Sequence, residues 1–173
     1  MKTGTITLKK LLVARLDFII YSLAFFIPFF ISHPQLLTGA VVNCLLFIAI
    51  QKFSYKKIVP VVVLPSLGAI LNGVLFGPAT IFLYYFLPFI WISNLILIWT
   101  FSKLLKKNYF LAVLSSSFLK ALFLFAIANL YVNLRIVPKV FLTAMGAVQL
   151  ITALSGGVFS YFILLKTKRH ERS

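Results

Sequence analysis

Acidic side chains are nearly missing from this chain. Asp17 and Glu171 are the two, against 17 Lys and Arg, for a formal charge of +15. A proton-driven carrier relays protons through intramembrane carboxylates, and here only Asp17 is a candidate for such a relay. Cysteine is scarcer still. Cys44 stands alone in an apolar stretch, so this chain by itself closes no disulfide and builds no Cys-rich metal or iron–sulfur site. The two histidines are His33, in a turn, and His170, in the tail. No phosphate loop, His-rich metal spacing or Ser-His-Asp arrangement accompanies them, so the expectation is a protein that is not an enzyme, holds no metal or cofactor, and hydrolyses no ATP of its own.

What is present is apolar surface. Hydrophobic residues make up 62% of the chain and charged residues 11%, with a mean hydropathy of +1.07. A soluble domain with that composition aggregates, so the expected solvent is lipid. A charge of +15 in a soluble protein suggests nucleic acid, but here the basic residues fall in short clusters between apolar runs. There is no basic face or aromatic-interleaved groove for a nucleic acid.

A spanning helix needs roughly 20 apolar residues to cross about 30 Å of hydrocarbon. Six runs approach this: Leu16 to Ile31, Leu36 to Ile50, Ile58 to Phe76, Ala79 to Phe101, Tyr109 to Val132 and Val140 to Leu165. The first is followed by Ser32-His33-Pro34 rather than a small-x-small cleavage pattern, and is expected to stay in place. Pro60, Pro65 and Gly68 predict a kinked or broken third helix. Counting Lys and Arg on alternate sides places Lys2, Lys9, Lys10, Arg15, Lys52, Lys56, Lys57, Lys103, Lys106, Lys107, Lys166, Lys168, Arg169 and Arg172 together, against Arg135 and Lys139 opposite. Positive charge is retained in the cytoplasm, so both termini are expected inside. The predicted fold is one all-α membrane bundle of about six helices over 1–173, in the cell membrane, with a short basic N-terminus at 1–15 and a C-terminal tail at 166–173.

Polar residues in the apolar runs are the candidate site, because a polar group in hydrocarbon is costly unless paired or facing a cavity. Lys120 is thirteen residues from Lys107, roughly 20 Å along a helix and beyond the reach of a snorkelling side chain. Asp17 belongs to the start of the first span, where Arg15 is the nearer partner. Lys120 is therefore either kept neutral, satisfied by carbonyls freed at a broken helix, or bound to amides, water or an anionic ligand. Asn43, Asn72, Asn94, Asn129 and Gln149 sit in five spans. Singly, such amides are interhelical glue worth about 1 kcal/mol; together with Lys120 they can line one polar cavity that binds a small solute. Trp91, three residues from Asn94, either stacks on a planar ligand or packs as aromatics do in membranes. Gly39-Ala40 with Cys44, and Gly156-Gly157, permit close helix approach, either within the bundle or to a partner.

The runs LLTGAVVNCLLFIA (Leu36 to Ala49), LPSLGAILNGVLFGPATIFLYYFLPFIWISNLILIW (Leu64 to Trp99), FLKALFLF (Phe118 to Phe125) and PKVFLTAMGAVQLITALSGGVFSYFI (Pro138 to Ile163) resemble a group of small prokaryotic membrane proteins. That group is similar to the substrate-binding components of energy-coupling factor transporters. Some of its members carry the label iron hydrogenase, which a single Cys does not suit. The resemblance implies six helices with both termini inside, and an outward pocket for a vitamin-like or other micronutrient solute. It also implies partners: a helical transmembrane coupling protein and two ATPase subunits, on which the binding subunit topples to release cargo. The first helix departs from that pattern, reading DFIIYSLAFFIPFF where studied members carry a small-residue docking stripe. The rival reading from another class is a membrane assembly or scaffold protein that transports nothing.

Overall fold

The computed structural model describes residues 2–31, 34–76 and 82–170, with side chains at 16–31, 34–73 and 82–166. Described residues form seven helices: α1 (Lys2–Phe30), α2 (Gln35–Lys52), α3 (Tyr55–Phe76), α4 (Leu83–Leu104), α5 (Tyr109–Asn133), α6 (Val140–Met145) and α7 (Ala147–His170). Five stretches are long and apolar enough to cross a membrane: α2, Tyr55–Gly73 of α3, α4, α5, and α6 with α7 over Val140–Lys166. The apolar part of α1, Leu16–Phe30, is shorter. Helices suit this composition because each satisfies its own backbone hydrogen bonds where no water can. Large apolar side chains such as Phe18, Phe26, Trp99, Phe118 and Phe162 face outward, as they do in a multi-pass membrane protein. The expected turn at Ser32-His33 and the expected start of a span at Ala79 lie outside the described residues, as do Glu171 and Arg172.

Three features bear on the expected helices. The basic residues at 1–15 belong to a helix, α1 running from Lys2. Of a kinked or broken third helix, the break is not found, since α3 runs as one helix through Pro60 and Pro65. Close to Pro65, the Ser66 hydroxyl donates to Val63 O at 2.9 Å and the Asn94 amide to Val62 O at 3.2 Å. The break falls in the last span, at Gly146, whose φ of −98° and ψ of −93° separate α6 from α7.

Helix ends are capped by means the sequence supplies. The Asn108 side chain accepts from Leu111 N at 3.0 Å to start α5. The other end of α5 closes with Arg135 N donating to Val132 O and Ile136 N to Tyr131 O, around Arg135 at φ 57°. This is the left-handed closing turn normally given to glycine. At the end of α1, Asn72 donates to Phe29 O at 2.7 Å and Thr38 donates to Ile31 O, so two polar side chains satisfy terminal carbonyls there.

Packing is closest between α2 and α7, α1 and α3, and α4 and α5. The small residues make these approaches possible. A side chain on Gly156 would run into the backbone of α2 at Ala40 and Cys44, one on Gly39 into Thr152, and one on Gly68 into the backbone of α1 at Phe25. Both glycine stripes of the sequence are thus used inside the bundle. One end of the bundle collects basic residues: Lys57 pairs with Asp17, Tyr21 donates to Lys57 O at 2.7 Å, and the Tyr55 hydroxyl reaches Ser102 Oγ at 3.5 Å. Asp17 therefore pairs with Lys57; the side chain of the expected partner, Arg15, lies outside the described residues. Phe47, Leu97, Phe101 and Ala112 form the apolar core toward this basic end, and Phe86, Leu124, Ala128 and Met145 a second core toward the other.

Candidate functional site

Between the two cores lies a cavity of about 440 Å³ to which all seven helices contribute. It reaches the surface opposite the basic end, at exposed Gln35 and Val140. Along α2 its lining runs from Gln35 down to Asn43, and along α4 from Leu83 down to Asn94. Asn43 and Asn94 are the deepest lining positions of their helices, and Lys120 of α5 is bonded to both. Its Nζ donates to Asn43 Oδ1 at 2.7 Å and to Asn94 Oδ1 at 2.8 Å. Lys120 is 3% exposed, Asn43 1% and Asn94 2%, so the three make a polar floor in an apolar bundle.

The two amides are held oxygen-first toward the lysine. Asn43 Nδ2 donates to Gly39 O at 2.8 Å and to Thr152 Oγ1 at 3.3 Å, and Asn94 Nδ2 donates to Val62 O. Turning either amide over would present two donors to each other, so the backbone carbonyls lock the orientation. Thr152 is itself fixed by donating to Gln149 O at 3.1 Å. Of the answers open for Lys120, side-chain amides are the ones found, rather than carbonyls at a helix break.

Of the seven candidate residues, the cavity brings together Asn43, Asn94, Lys120 and Gln149. Trp91 does not line it; its Nε1 donates to Ser66 Oγ at 2.7 Å, and Ser66 does line it. Trp91 thus braces the wall instead of stacking inside. Asn72 caps α1 through Phe29 O, away from the cavity. Asn129 is exposed on α5 and also lies outside the lining. Missing from the sequence expectation are Gln35, Thr38 and Ser66, together with α6, which walls the mouth through Val140, Phe141, Ala144 and Met145. Ser66 directly follows Pro65, a proline that draws attention; nothing marks Thr38 among ordinary helical threonines.

No three His, Cys, Asp or Glu side chains among the described residues lie close enough together to hold a metal ion. The chemistry on offer is hydrogen bonding and charge, directed at something inside an otherwise apolar chamber. In comparisons with protein-family models, curated proteins and solved structures, the chain matched none.

Proposed function

We propose that this protein is a small-solute-binding membrane subunit of an uptake transporter of the energy-coupling factor type, taking a vitamin-like or other micronutrient into the cavity. The observation that carries this reading is the floor of Lys120, Asn43 and Asn94 at the base of a chamber of about 440 Å³, within the size range of small-molecule sites. A bundle built only for packing has no reason to bury a lysine beside open space, because that residue is costly in hydrocarbon. Of the two surfaces a scaffold could use, lipid-facing or glycine-rich, the glycine stripes are used against the chain's own helices. Uptake energy comes from a coupling protein and ATPase subunits, because the chain has no phosphate loop and only Asp17 as a candidate relay carboxylate.

Orientation follows from charge. Six spans with both termini in the cytoplasm put the basic end inside, and the mouth then opens outward, as uptake requires. In a Cys44→Ala background, Lys139→Cys is expected to react with a membrane-impermeant maleimide on intact cells, and Lys106→Cys only after permeabilisation. The reverse pattern would invert the topology and sink uptake.

The binding reading is tested by native mass spectrometry of the protein purified in mild detergent from its own host. A retained small molecule that is absent from Lys120→Met, with co-purified ATPase subunits, is the expected result. A bare protein accompanied by an unrelated membrane protein would replace this reading with the scaffold.

A further inference from the structure

We propose that the solute is a monoanion with one carboxylate and an apolar body, held carboxylate-down on Lys120; this rests on the solute-binding reading above. Three observations lead there. First, the floor turns acceptors toward Nζ, an arrangement that accommodates a protonated amine. Both amide oxygens point at Nζ and both amide nitrogens are committed to backbone carbonyls. An ammonium has three donors, and among the described residues Nζ has two acceptors, leaving one for a ligand. Second, that cation has no counter-charge: its partners are neutral, and Asp17, the described carboxylate, is paired with Lys57 at the basic end. A buried charge calls for one opposite charge, which a carboxylate supplies. A phosphate dianion would leave a net negative charge on a floor with no arginine fork to spread it.

Third, the rest of the chamber is poor in free donors. The hydroxyl protons of Thr38 and Ser66 are already given to Ile31 O and Val63 O. Above the floor the walls are Pro28, Val42, Pro65, Leu83, Ile90 and Met145, which suit hydrocarbon or a ring. The side-chain amides of Gln149 and Gln35 make no hydrogen bond among the described residues and offer the remaining polar contacts, toward the mouth. A sugar, a nucleotide or a polyanion would strand its polar groups against those walls.

The test compares 3-phenylpropionate, 3-phenylpropanamide and 3-phenylpropylphosphonate. Binding is read by fluorescence of Trp91, which touches the wall residue Ser66, in Trp99→Phe protein reconstituted in nanodiscs. The carboxylate is expected to bind more tightly than the amide by on the order of 10- to 100-fold, as for a charge-assisted hydrogen bond replacing a neutral one, and more tightly than the phosphonate. In Lys120→Met the carboxylate and amide are expected to bind alike, while Lys120→Arg keeps the preference. Should Lys120→Met not purify as a monodisperse bundle, Lys120→Gln, which retains donors for the floor amides, carries the same expectation. Equal affinities in the parent protein, a preference that survives removal of the lysine, tighter phosphonate binding, or no binding by any of the three would each overturn the proposal. Retention of a neutral native solute in the mass spectrum would remove the anionic class alone and leave solute binding standing; an empty native protein removes both.

Discussion

The double variant Asn43→Leu, Asn94→Leu is expected to lose on the order of 3–5 kcal/mol of stability, and adding Lys120→Met to the same chain is expected to return most of it. The argument turns on which group is left stranded. Lys120 is 3% exposed and its Nζ donates to the two amide oxygens at 2.7 and 2.8 Å. Removing both oxygens leaves a buried amine without an acceptor, the costly half of any buried polar pair. Removing the amine as well leaves an apolar floor with nothing to satisfy. What the third substitution does not return is the bonding of the amide nitrogens to Gly39 O, Thr152 and Val62 O. Denaturant titration of the parent, the double variant, Lys120→Met alone and the triple variant in detergent closes the cycle, and the size of the recovery measures the coupling between lysine and amides. A double variant as stable as the parent, or one that Lys120→Met fails to help, would mean that the floor is not held this way.

Gly156→Ala is expected to cost about 1–3 kcal/mol, the usual range for overpacking, and Gly39→Ala clearly less, although both glycines lie on the same seam. A methyl on Gly156 would sit 2.6 Å from Cys44 N, 2.7 Å from Ala40 O and 2.8 Å from Asn43 Cβ. Two of those three atoms are helix backbone, so α2 and α7 must move apart. That movement also carries Asn43 away from Lys120, and solute retention is expected to fall along with stability. A methyl on Gly39 meets instead only side-chain atoms, Thr152 Cγ2 at 2.8 Å and Cβ at 3.0 Å, so the strain falls on one threonine and its bonds to Gln149 O and Asn43 rather than on two helix backbones. Thermal unfolding of the two variants in the same detergent gives the ranking; Gly39→Ala as harmful as Gly156→Ala would mean the backbone seam is not the rigid element.

Hydropathy is enough to predict an all-helical membrane protein, because lipid admits only helices or closed barrels and apolar runs of roughly 20 residues suit helices. Lys120 is conspicuous for the same reason, and two of its candidate amides prove to be its partners. Asn72, Asn129 and Trp91 are indistinguishable from those two in sequence, since what separates them is the rotation of each helix about its axis, and that is set by packing against neighbours. Asn72 turned toward α1 is a cap; Asn129 turned outward is no part of the floor. Pro60 and Pro65 do not end α3, which continues through both. Gly146, where the last span does divide, lies in an unbroken apolar run and leaves no trace in a hydropathy profile.

The floor also has an order in time. Asn94 precedes Lys120 by 26 residues and Asn43 by 77, so as the chain is threaded into the bilayer both acceptors enter before the donor they serve. A lysine arriving first would face hydrocarbon alone, at a cost of roughly 2.5–3.5 kcal/mol on insertion scales. Arriving fifth, it enters beside waiting amides. The glycine that packs against α2 behind Asn43 comes from α7, so it enters after the lysine and both amides.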